Sequence, residues 1–130
     1  MLVATLCVAG CAETHSPPAP SASTTTSTPA APPIRVLMLT ATAGFRHDSI
    51  PTARTVVSNL AAARGEFTVT ATENLDDISV ARLALTDVLM FALTSGELPL
   101  DARQKSAILD FVNAGGGFVG VHSATDTLYE

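Results

Sequence analysis

Beyond residue 33 the apolar positions of the chain follow two alternating rhythms. IRVLMLT, Ile34 to Thr40, is nearly continuous, with Ile, Val and Leu on both parities. That is the pattern of a strand covered on both faces of a parallel sheet, and it predicts a central position. After a polar, glycine-containing loop, Asp48 or Ser49 with Pro51 announces a helix: either side chain can cap backbone N–H groups, and Pro is tolerated in the first turn. Ile50, Ala53, Val56, Val57, Leu60 and Ala61 recur at three- and four-residue intervals, predicting a helix over 50–64 with one apolar face and Gly65 at its C-cap. FTVTAT alternates Phe67, Val69 and Ala71 with threonines, which predicts an outer strand with one face less buried. Residues 74–84 read as a loop with a short helix. DVLMFAL, Asp87 to Leu93, returns to the interior-strand pattern, and TSGELP breaks it. Asp101 with Gln104 has capping-box spacing for a helix that buries Ala107, Ile108, Phe111 and Val112 and ends at Ala114–Gly115. GFVGV, Gly117 to Val121, is an interior-looking fourth strand.

Alternating elements with short connections predict an α/β fold, a doubly wound parallel sheet with right-handed crossovers. Ligands of such sheets sit beyond the carboxyl ends of the strands. Three loops share that edge, 40–48, 94–98 and 122–127, so Arg46, His47, Asp48, Ser95, Glu97, His122, Ser123 and Asp126 can converge from distant parts of the chain.

The fourth strand stops on a histidine. GGGFVGVHSATDT passes from apolar strand to His122, Ser123, Thr125 and Asp126, the kind of strand-to-loop corner at which many α/β enzymes expose a nucleophile. An imidazole there can transfer protons near neutrality or bind a metal, or it can simply satisfy backbone groups at the strand end. His47 is open to the same readings, with Arg46-His47-Asp48 serving alternatively as a solvated turn and helix start. Asp126 is a candidate ligand, a partner orienting an imidazole, or the next cap. Arg46, Asp48, Ser123 and Asp126 are the candidate substrate contacts, and His47, His122 and Asp126 the candidate ligands of a divalent metal ion. Ser123 lacks the Gly-x-Ser-x-Gly frame of serine hydrolases, and the glycines 115–117 lack the phosphate-loop spacing and its lysine; they read as a helix end and a close strand entry.

LTATAGFRHDSIPTA together with NAGGGFVGVHSATDT resembles the ThuA-like family, named for trehalose utilisation and similar in fold to the flavodoxin-like class I glutamine amidotransferases. The resemblance spans 34–130 and implies that this is the N-terminal part of a longer, here incomplete, domain. In the amidotransferase relatives the corner carries a cysteine in a Gly-x-Cys-x-Gly turn. Here Gly120-Val121-His122-Ser123-Ala124 places a histidine at that position, and imidazole lacks the thiol that forms the thioester. The family name implies a small-molecule carbohydrate as partner. Two classes of function follow: an enzyme acting on a disaccharide or keto-sugar through His122 and His47, or a surface-anchored sugar-binding or scaffold module on the same fold.

The first 33 residues differ in kind. An apolar stretch too short to span a bilayer runs into Val8-Ala9-Gly10-Cys11, a lipobox-like site, although no Lys or Arg precedes it. This predicts a leader over 1–10, lipidation of Cys11, export, and anchoring to a membrane surface at the outer face of the cell membrane or in the periplasm. Residues 11–33, with SPPAPSASTTTSTPAAPP, read as a disordered Pro/Ser/Thr-rich tether. With Cys7 in the leader and Cys11 acylated, no thiol remains for catalysis, metal binding or a disulfide. A net charge of -5 with scattered Lys and Arg offers no basic stripe, so nucleic acid is not an expected partner.

Overall fold

The computed structural model describes residues 31–129; the expected leader, Cys11 and the expected tether up to residue 30 lie outside them. Four strands, β1 (Ile34–Leu39), β2 (Phe67–Thr72), β3 (Val88–Ala92) and β4 (Gly117–Val121), form one parallel sheet in the order β2-β1-β3-β4. The helices are α1 (Ile50–Arg64), α2 (Val80–Leu83) and α3 (Ala102–Asn113), with 3-10 turns at Leu75–Asp77 and His122–Thr125. The chain steps one way from β1 to β2 and the other way through β3 to β4. With right-handed crossovers, α1 therefore covers one face of the sheet and α2 and α3 the other.

Burial explains the continuous apolar runs. Leu37 and Leu39 of β1 and Leu89 and Phe91 of β3 join Ile78, Leu83, Leu98, Ala107 and Ile108 in one core on the α2–α3 side. The alternate residues Val36, Met38 and Thr40 are buried as well, as a central strand requires. β2 is the outer strand that its period-two pattern predicts.

Local signals explain most helix ends. Asp101 and Gln104 complete the capping box of α3, each side chain accepting the other's backbone N–H at 2.8 Å. Gly65 ends α1 in the left-handed region at φ 70°. After α3, Gly115 turns at φ 96°, Gly116 lies where any Cβ would enter the Phe111 ring, and Gly117 meets the Val88 side chain, so the three glycines serve helix ending and close strand entry.

Three expectations are corrected. Neither Asp48 nor Ser49 caps α1: Ser49 itself has helical dihedrals and no capping bond, because a turn closed by Ile50 N–H on the His47 carbonyl (3.2 Å) leads into the helix. The predicted apolar face of α1 buries Ile50 and Ala61, but Val56 and Leu60 remain half exposed. Val112, expected on the buried side of α3, is exposed. The interior-looking β4 lies at the edge of the described sheet, with Phe118, Val119 and Val121 exposed.

Two connections fix the sheet at its ends. At the amino edge Arg35 donates to Asp87 from its backbone N (2.7 Å), Nε (2.9 Å) and Nη2 (2.7 Å), and these bonds hold the Asp87 carboxyl down at about 2. At the carboxyl edge the segment after β3 is a backbone spacer. The Ser95 carbonyl accepts the N–H groups of Ala43 (2.8 Å) and Gly44 (3.0 Å), and Ser95 Oγ donates to the Phe45 carbonyl. On the other side Gly96 N–H donates to the Asp126 carbonyl (2.7 Å), and its own carbonyl accepts Thr127 Oγ1–H (2.6 Å). Gly96, at φ 76°, lies so close to Ala43 and Gly44 that a Cβ would strike their backbone, whereas a Cβ on Gly65 would meet nothing.

This contrast yields a prediction. Gly65→Ala should cost about 1 kcal/mol, the left-handed penalty alone. Gly96→Ala should cost about 3 kcal/mol because a backbone clash adds to that penalty. Urea unfolding of the two variants checks the ordering, and equal losses would contradict it.

Candidate functional site

The spacer brings the loop after β1 and the loop after β4 to one place. His122, the first residue past β4, has φ 58°, a left-handed conformation that costs a non-glycine residue about 1 kcal/mol. The backbone thus breaks from the strand at His122, and its side chain is exposed. His47 comes from the other loop and is half-buried. The two imidazoles meet edge to face, with ring centroids 4.6 Å apart and an interplanar angle of 66°. Phe45 packs edge-on against His47 as well, at 4.8 Å. Ser123 Oγ lies 3.2 Å from His47 Nε2, a hydrogen bond between residues 76 positions apart.

The other candidates have partners of their own. The Arg46 guanidinium binds Glu73 through two bonds of 3.0 Å, and Arg54 donates to the same carboxylate at 3.3 Å. The bonds from Arg46 first, then the charges of both guanidiniums, hold Glu73 below the usual carboxylate range; Glu73 in turn raises Arg46. These residues line a cleft of about 350 Å³ against Ile50, Pro51 and Thr55. Asp126 Oδ1 accepts the Tyr129 hydroxyl at 2.6 Å, a bond that raises the Tyr129 pKa. Asp48 is exposed in the turn before α1.

A family described as ThuA, trehalose utilisation, matches this chain over residues 35–130. The chain belongs to the ThuA family. A solved structure from Bacteroides uniformis, described as a ThuA-like protein, superposes with a TM-score of 0.58 over 76% of this chain at 19% identity, a likeness of fold. This chain spans 40% of that protein's length. No curated protein sequence matches.

Within this ThuA domain, sequence reasoning places His47, His122 and Ser123 in one group, and the structure joins them. Arg46 and Asp126 reach the same edge, but their charged groups are engaged by Glu73 and Tyr129. Ser95 is buried and structural, and Glu97 accepts from Lys105 Nζ (2.8 Å) and Tyr129 N–H (2.7 Å). The metal candidates His47, His122 and Asp126 form no ligand set: among the described residues no three His, Cys, Asp or Glu side chains are grouped to hold an ion. Three contributors are absent from the sequence reading: Phe45, Glu73 and Tyr129. Phe45 stands in the quoted GFRH run, and an apolar ring beside a candidate histidine was the available signal; Glu73 and Tyr129 gave none.

The left-handed backbone at His122 generates the next prediction. His122→Gly and His122→Ala both remove the imidazole, but only glycine relieves the strain, so the Gly variant should be the more stable by about 1 kcal/mol. Thermal or urea unfolding of the pair checks this. An Ala variant equal to or more stable than the Gly variant would mean that the corner is not left-handed in solution.

Proposed function

We propose that this ThuA domain acts on a carbohydrate, a disaccharide or a keto-sugar, at the cell surface, and has no glutamine amidotransferase activity. The observation that carries the reading is the imidazole pair. His122 stands on a strained, exposed corner at the carboxyl edge of the sheet, 4.6 Å from His47, where ligands of such sheets bind. Two imidazoles of independent loops can divide the work of acid and base at a sugar hydroxyl or carbonyl, a role that contributes typically about 10²–10⁴-fold. The family's trehalose description supports the substrate class. Histidine at the corner offers no thiol for a thioester from glutamine.

A second reading has its own support. Arg46 and Asp126, the charged groups best placed to hold a polar ligand, are committed to Glu73 and Tyr129, as suits a sugar-binding or scaffold module without catalysis. Surface attachment, in either reading, is proposed through lipidation of Cys11 in Val8-Ala9-Gly10-Cys11; incorporation of labelled palmitate in a bacterial host, lost in Cys11→Ala, tests it.

The catalytic reading is tested by turnover on disaccharides and keto-sugars. His122→Ala should lower turnover by about 10²-fold or more with an almost unchanged Tm. His122→Cys should show no glutaminase activity, because it restores the sulfur without a matched base and oxyanion donors. Sugar binding with no turnover in the wild type would favour the second reading. A His122→Ala variant destabilised by several kcal/mol with turnover per folded molecule intact would make the imidazole structural.

A further inference from the structure

The cleft beside the imidazole loop is unbalanced in charge. Its walls are Arg46, Ile50, Pro51, Arg54, Thr55 and Glu73, so two guanidiniums share one carboxylate and no other acidic side chain lines it. Arg46 alone neutralises Glu73, through two bonds of 3.0 Å. Arg54 then adds a second positive charge from α1, half-buried, with only a share of the same carboxylate at 3.3 Å and the Ala71 carbonyl at 3.2 Å. A carbonyl oxygen orients the guanidinium but brings no counter-charge, and a cation drawn partly out of water favours an anion beside it. Both arginines bond through Nη1 and Nη2; among the described residues neither Nε–H has a partner. Each fork is therefore held in place with donors left over, and guanidinium forks match the oxygens of carboxylates and phosphates. The cleft offers about 350 Å³, within the range of small-ligand sites.

We propose that this cleft binds an oxyanion carried by the ligand, a carboxylate or a phosphate group, with Arg54 supplying the uncompensated charge and Glu73 holding both guanidiniums in position. The inference rests on the carbohydrate reading above and narrows it: the sugar is an acidic one, a sugar acid or a sugar phosphate. Arg46 immediately precedes His47 in the loop after β1, so a ligand anchored by its anion is held beside the loop that carries one imidazole of the pair. Glu73 follows β2 and His122 follows β4, on opposite sides of β1 in the sheet. The anion and the group that meets the imidazoles are therefore at different ends of the ligand.

The test is calorimetric binding to the full chain at low ionic strength, with glucuronate, glucose 6-phosphate, neutral glucose and inorganic phosphate as probes. At least one of the two acidic sugars should bind about tenfold more tightly than glucose, and the one that does tells carboxylate from phosphate. Arg54→Gln should remove that preference. Glu73→Gln takes a negative charge out of the cleft while leaving an oxygen to accept from Arg46, so it should strengthen acidic-sugar binding by about fivefold. Glucose bound as tightly as both acidic sugars overturns the proposal, and so does a preference that survives in a folded Arg54→Gln chain. If Arg54→Gln does not fold, Glu73→Gln decides: weaker or unchanged binding of the acidic sugars would make the three charged residues a brace only. Phosphate bound by the wild type and lost in Arg54→Gln, with neither acidic sugar bound more tightly than phosphate itself, supports the anion site and contradicts the carbohydrate reading. Binding of none of the four overturns the proposal, while turnover of a neutral disaccharide, lost in His122→Ala, would leave the carbohydrate reading standing.

Discussion

Two backbones touch at the carboxyl edge of this sheet, and the candidate site depends on that contact. Gly96 turns at φ 76° against Ala43 and Gly44 with no room for a Cβ, while the Ser95 carbonyl binds the N–H groups of both. Ser95 and Gly96 then reach the loop after β1 on one side and the loop after β4 on the other. Without that close approach, His47 and His122 would belong to two separate mobile loops. With it, they are facing rings 4.6 Å apart. The polar groups of these connections are backbone amides and small hydroxyls, so the precision comes from directional hydrogen bonds made by the backbone itself.

Upon this frame the site concentrates strain and pairing. His122 holds a conformation that most side chains avoid, at a point where the strand has just delivered it to solvent; such outliers persist only where the surrounding structure over-determines them. Around it the charges are arranged in closed pairs, Arg46 with Glu73 and Asp126 with Tyr129, which brace the loops instead of facing the imidazoles. The side chains left in mutual contact are the two histidines, Ser123 and Phe45.

The sequence made the sheet legible because burial on both faces leaves a continuous mark: IRVLMLT and DVLMFAL could be read as central strands without any tertiary information. Asp101–Gln104 and Gly65 were equally readable, since capping boxes and left-handed helix ends are local chemistry. Ser49 shows the limit, for a capping residue type does nothing when a turn already occupies the approach to the helix. Val56 and Leu60 show another: periodicity finds an apolar face but cannot tell how much of it is covered. At the site, His47 and His122 were readable from the topology rule that gathers strand-end loops. The fates of Arg46 and Asp126 were not, because Glu73 and Tyr129 reach them through tertiary geometry with no sequence spacing to mark it.

Whether the segment after β3 truly joins the two histidine loops can be read from its amides. Native-state hydrogen exchange reports how far each hydrogen bond must open, and unsupported loops exchange almost freely. The account predicts that the N–H groups of Ala43, Gly44 and Gly96, bound to Ser95 and Asp126 carbonyls, are protected to the level of the β1 and β3 amides. Exchange at the unprotected rate at these three positions would mean that the loops move independently, and that the meeting of His47 and His122 is not built into the fold.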